Sequence, residues 1–286
     1  MSKYCQGFYP LNIIFATEIL KMKKAFFCFL ILCSACNNNR QEDKPVKPSA
    51  EMPAEEKRLK DAVAKYPDSL VLKENLVQYF RDNGNYFNAI KVVDEAITKD
   101  SGNARLWDIK ATLHFEDGDT ARSIKAFERA VVIFPDPQYI MSLGTLYAQT
   151  KNPMALQMAD ALLAGNKAKA DKEAFFIKGL YYSFINEKQK AIDLFDKCLS
   201  LNYTFMDAYR EKAIALYDLK KYEEALAVLD KAITLQNNFD EGYYYSGQCL
   251  EKLNRKEEAI QAYQNALAYD PDYIEAKDAL AKLGVR

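Results

Sequence analysis

Residues 240–273 read DEGYYYSGQCLEKLNRKEEAIQAYQNALAYDPDY, and seven positions within this stretch decide the fold. They are Tyr243, Gly247, Leu250, Ala259, Tyr263, Ala266 and Pro271, at positions 4, 8, 11, 20, 24, 27 and 32 counted from Asp240. One repeat length earlier, the pattern returns as Tyr209, Ala213, Leu216, Ala225, Leu229 and Ala232. The next step back gives Phe175, Gly179, Tyr182, Ala191, Phe195 and Cys198. A blurred copy follows, and then Trp107, Ala111, His114, Ser123, Phe127, Ala130 and Pro135. The last copy holds Val77, Phe80, Ala89, Val93 and Ala96. Six copies therefore fill 70–103, 104–136, 137–171, 172–205, 206–239 and 240–273.

A fixed period of this length marks a repeat architecture. Apolar spacings of three and four put the bulky positions on one stripe of each of two helices per repeat. Positions 8, 20 and 27 are small, as helices crossing at close range require. Pro or a polar turn near position 32 stops the second helix. Asn83-Gly84-Asn85 and Glu116-Asp117-Gly118-Asp119 read as turns inside repeats. The seven positions together resemble the tetratricopeptide repeat. The resemblance implies an all-α, right-handed α-solenoid of antiparallel helix pairs.

The flanks fit partial repeats. Residues 51–69 match only a second helix, with Leu59 at position 24 and Ala62 at position 27. Residues 274–286 match only a first helix and read as a cap over the last apolar face. The third repeat is irregular. Gly144 stands one residue early, Lys151-Asn152-Pro153 shortens the turn, and the connector from Ala164 to Asp171 (AGNKAKAD) restores the register. Gly165-Asn166 reads as a helix stop. The irregularity is either a tolerated loop change or a hinge between repeats 1–3 and 4–6.

Ahead of the repeats stands an address. Residues 22–36 read MKKAFFCFLILCSAC. Lys23 and Lys24 form a positive region, the apolar run Ala25 to Leu32 is too short to span a bilayer, and Ser34-Ala35 supplies small residues for cleavage. The small pair before Cys36 resembles a bacterial lipobox, although Cys33 stands where that motif prefers Leu. The resemblance implies that residues 1–35 are a signal sequence and that Cys36 is lipidated. Residues 1–21, with Pro10 and Glu18 ahead of the lysine pair, fit neither scheme, and Met22 is the expected start. Asn37 to Ala50, polar and carrying Pro45 and Pro48, reads with Cys36 as a flexible tether over 36–50.

Composition bounds the function. The chain has 286 residues, 39 basic and 40 acidic side chains and a net charge of −1. That balance argues against nucleic acid as a partner, because phosphate binding needs a basic face. One histidine in the chain removes most imidazole catalysis and nearly all multi-histidine metal sites. No nucleophile elbow, zinc-helix motif or phosphate loop occurs, so neither enzyme activity nor a cofactor nor a metal is expected. His114 and Trp107 occupy packing positions. Cys198 and Cys249 also read as structural, and with Cys36 acylated they leave no disulfide framework. Asp270-Pro271-Asp272 is better explained by a turn than by a metal loop.

In the resembled family, first-helix positions 2, 5, 9 and 12 line the concave groove in which peptides lie. Repeat 1 places Val71, Glu74, Gln78 and Arg81 there, and repeat 2 places Arg105, Asp108, Thr112 and Phe115. The Lys/Asn/Arg set with which some members clamp a C-terminal carboxylate is missing. Repeats 4–6 offer Phe176, Leu180, Ile214, Tyr217 and Tyr244, beside Arg210 and Gln248. Aromatic anchors with arginine are what an interface core contains. These seven residues are the candidate partner-binding groove. The alternative for the same tyrosines is helix packing. The expectation is a lipid-anchored scaffold that binds a protein or peptide in the envelope of a Gram-negative-type bacterium, on the periplasm-facing outer membrane. The alternative ligand is a glycan or cell-wall fragment bound by the tyrosine-rich groove.

Overall fold

The computed structural model describes residues 52–165 and 167–285. The signal sequence, Cys36 and the tether lie outside the described residues, as does Asn166. The described residues form fourteen helices. These are α1 (Ala54–Lys65), α2 (Leu70–Asp82), α3 (Tyr86–Lys99), α4 (Ala104–Glu116), α5 (Thr120–Ile133), α6 (Pro137–Gln149) and α7 (Met154–Gly165). The remainder are α8 (Lys167–Phe184), α9 (Lys188–Leu201), α10 (Met206–Asp218), α11 (Tyr222–Leu235), α12 (Asp240–Lys252), α13 (Lys256–Tyr269) and α14 (Ile274–Lys282).

Two compact units divide between Pro135 and Asp136. In the first, each helix from α1 to α5 packs on its sequence neighbour. In the second, neighbours from α6 to α14 pack in the same way, and α8, α10 and α12 also touch side by side. Helices too short to be stable alone thus gain stability from burying one apolar face against the next. The large–small pattern is realised directly in the packing. A Cβ on Gly179 would lie 2.5 Å from the Phe195 ring, and one on Gly247 would lie 2.5 Å from the Tyr263 ring. Position 8 is small because position 24 of the same repeat carries a large side chain into that space.

Each repeat turns at its fifteenth residue. Gly84, Gly118, Lys151, Asn186, Lys220 and Asn254 all have left-handed backbone, with φ between 58° and 79°. The residue after each donates its N–H to the carbonyl of position 11: Asn85 to Phe80 at 2.8 Å, Asp119 to His114 at 2.8 Å, Arg255 to Leu250 at 2.9 Å. This Schellman closure satisfies carbonyls that the helix end would leave open. Lys151 holds the site one position short of a full period after Gly118, which places the early register of the third repeat in its turn.

The connector is the main departure from expectation. The described part of the connector is helical: α7 runs to Gly165 and α8 begins at Lys167, so the first helix of repeat 4 has 18 residues where α10 and α12 have 13. Alanine and lysine are strong helix formers, and they extend α8 backwards. Both α6 and α7 pack on α8, so repeat 3 stays in contact with repeat 4 across the connector.

Candidate functional site

The first helices α8, α10 and α12 carry the predicted groove positions of the second unit. Two of those positions are core. Phe176 is wholly buried, its ring 6.0 Å from Phe195 and 5.0 Å from Phe205, and Leu180 is 1% exposed. Neither presents area to a partner, and the Phe195 and Phe205 rings close over Phe176. Arg210 is also buried and ion-paired. Ile214, Tyr217, Tyr244 and Gln248 are the half-buried members. Tyr217 lies 5.2 Å from Tyr222 edge to face. The Tyr244 ring lies 5.2 Å from Tyr245, 5.8 Å from Tyr263 and 5.0 Å from Tyr273, and Gln248 Nε2 donates to its hydroxyl at 2.7 Å. Tyr244 is thus both packing and surface.

The charged centre of this face was not legible as a unit. The Arg210 Nη1 meets Glu241 at 3.2 Å and Asp207 at 3.0 Å, and Nη2 meets Glu211 at 3.2 Å. Burial opposes the arginine's charge, but Glu211, Glu241 and Asp207 together hold its pKa above the ordinary value. One sequence signal points to this link. Opposite charges at position 5 of one repeat and position 2 of the next join neighbouring first helices, as Arg210 and Glu241 do here and Glu74 and Arg105 do at 2.7 Å in the first unit. Arg81 and Glu116 form another bridge between α2 and α4.

The other singled-out residues are structural. His114 is buried, and burial, followed by Lys110, lowers its pKa. Burial pushes the thiols of Cys198 and Cys249 each up to about 12, which disfavours the nucleophilic thiolate. Trp107 is half-buried, with Nε1 donating to the Ser101 carbonyl at 3.0 Å. The Asp270 carboxylate accepts from the Asp272 N–H at 3.0 Å, which is turn chemistry. Among the described residues no group of three potential ligands is placed to hold a metal, and no helix is long and apolar enough to cross a membrane.

Paired helices joined by left-handed turns, with small residues facing large ones at a fixed period, define a helical repeat protein. Tetratricopeptide repeat models match residues 74–140, 184–240 and 216–283. The chain belongs to the tetratricopeptide repeat family, whose domains bind protein or peptide partners and are typically non-catalytic scaffolds. A tetratricopeptide repeat protein from Parabacteroides merdae is 22% identical, with a TM-score of 0.67 over 80% of this chain and 90% of that one. PilW, a type IV pilus biogenesis factor, is 17% identical, with a TM-score of 0.57 over 74% of this chain and 99% of its own. A thermophilic repeat protein of Thermus thermophilus is 17% identical, with a TM-score of 0.55 over 63% and 98%. At these identities the likeness is one of fold. No curated protein matches the chain.

Proposed function

We propose that this chain is an adaptor that holds a protein segment against α10 and α12. The observation that carries this reading is the recurrence of Ile214, Tyr217, Tyr244 and Gln248, all half-buried, on neighbouring first helices that pack side by side. Tyrosines supply rigid contact area at little cost in side-chain entropy, and Gln248 adds a hydrogen-bonding group. Phe176, Leu180 and Arg210 act beneath that surface as its support. In the same reading Cys36 carries lipid and keeps binding at a membrane of the bacterial cell envelope, facing the periplasm. The order of lysine pair, apolar run and Ser34-Ala35-Cys36 supports the anchor.

The test is partner recovery from envelope extract by the wild-type chain and by Ile214→Ala/Tyr217→Ala/Gln248→Ala, identified by mass spectrometry. The variant keeps the ring contacts of Tyr244 and removes only the Gln248 hydrogen bond to its hydroxyl. Specific partners are expected with the wild type and lost with a variant whose helical circular dichroism is unchanged. Equal recovery by both proteins places binding elsewhere. Palmitate labelling tests the anchor independently: Cys36→Ser should abolish label and membrane retention, and a variant that still labels excludes Cys36 as the acceptor.

A further inference from the structure

Arg210 is surrounded by more negative charge than it balances. Glu241, Asp207 and Glu211 all reach its guanidinium within 3.3 Å. Their side chains are 7%, 37% and 15% exposed, and that of Arg210 is 4% exposed. With Glu211 and Glu241 both ionised, a place largely closed to water would hold one uncompensated charge, beside the more exposed Asp207.

The helices around the cluster do not make up the deficit. Lys188 on α9 faces Glu211 but is bound to Asp218 at 2.6 Å and to Ser183 at 3.2 Å. Lys172 and Glu173 on α8 pair with each other at 3.2 Å. On α11, Lys231 lies over the Tyr209 ring at 5.8 Å. Helix α12 adds Asp240, Tyr244 and Tyr245, Asp270 follows α13, and the start of α14 adds Tyr273 and Glu275. The neighbours on these last three elements are acidic or neutral, and the lysines named above are held by other groups. Like charges crowded in a poorly solvated place are relieved by binding a proton, and the groups then titrate as a set.

We propose that Glu211 and Glu241 share one proton beside Arg210, so that the junction between repeats 5 and 6 is a latch that tightens as pH falls. The Arg210–Glu241 contact joins α10 to α12, so the proton governs how firmly these two helices hold together, whatever they bind. The titration directions agree. Burial raises the Glu241 carboxyl to about 7 against the pull of Arg210, and burial raises Glu211 and Asp240 as well. A carboxyl with a folded pKa above its ordinary 4.5 takes up a proton on folding. Its stabilisation is complete below about 4.5 and is lost as pH rises through about 7.

Peptide-resolved amide hydrogen exchange on the full chain at pH 6 and pH 8, corrected for intrinsic exchange rates, tests the latch. Protection in α10 and α12 is expected to be about tenfold higher at pH 6. Glu241→Gln, which fixes the neutral form, should remove that difference. Glu74→Gln at the corresponding place in the first unit should leave it intact. Equal or lower protection at pH 6 in the wild type overturns the proposal. So does an undiminished gain in both Glu241→Gln and Glu211→Gln.

Discussion

Glu74 with Arg105 and Arg210 with Glu241 occupy the same two positions of successive repeats, with the charges exchanged. The first pair is a surface bridge, with Arg105 52% exposed, and both carboxylate oxygens of Glu74 accept from it. The second is enclosed, with side chains 4% and 7% exposed, and two further carboxylates share its arginine. A surface pair gains little because water screens it, whereas a buried charge that loses its partner is left where solvent cannot stabilise it. One backbone relation therefore serves as ornament in the first unit and as a structural link in the second. The turns differ in the same sense. The first unit uses Gly84 and Gly118 and caps the following helices with Asn85 and Asp119, whose side chains accept N–H groups at 3.2 and 2.9 Å. The second places Lys151, Asn186, Lys220 and Asn254 in the left-handed region; Asn152 accepts the Met154 N–H at 3.0 Å, but Glu187, Lys221 and Arg255 make no side-chain cap.

The largest expected effect breaks the buried link. Arg210→Ala should cost about 3–5 kcal/mol in urea unfolding, because it strands three carboxylates. Arg105→Ala should cost about 0.2–1 kcal/mol. Equal costs would show that the two bridges do the same work. Next is the tyrosine cluster. Tyr244→Ala should cost about 1–3 kcal/mol through its ring contacts, whereas Tyr217→Ala, with one such ring neighbour, should cost about 1 kcal/mol or less. A reversed order in thermal melts would make Tyr217 the stronger packing residue of the two.

The turns give a smaller effect of opposite sign in the two units. Gly84→Ala should destabilise by about 1 kcal/mol, because alanine resists left-handed backbone. Lys220→Gly should be neutral or stabilising by a few tenths of a kcal/mol, since it relieves that strain at the cost of chain entropy. A destabilised Lys220→Gly would reveal a role for the lysine side chain. The finest contrast is in pH. His114 is buried with its pKa lowered, so the folded first unit holds fewer protons than the unfolded chain below the ordinary value of 6.5. Its stability should fall as the solution is acidified through that region, opposite to the effect of Glu241 in the second unit. Hydrogen exchange in α4 should report this loss at pH 5.5, and His114→Leu should remove it. An unchanged pH response in that variant assigns the effect to other groups.

The helices, their pairing and the packing of small against large residues are legible without any coordinates, because each depends on residues close in sequence and returns once per repeat. The connector reads as a loop because Gly165 dominates it, while the alanines and lysines that follow favour helix and prolong α8. The candidate site is legible only in outline. Position 5 reads the same in Phe176, Arg210 and Tyr244, yet the first is wholly buried, the second is buried and ion-paired, and the third is half-buried. Sequence by itself determined where each of these residues sits on its helix, since periodicity is a local property of the backbone. Burial depends on side chains from other helices and turns: Phe195 and Phe205 enclose Phe176, and Glu241 reaches back from the following repeat to Arg210. Only the tertiary structure could decide that, because solvation is set by what neighbouring elements bring into the same volume.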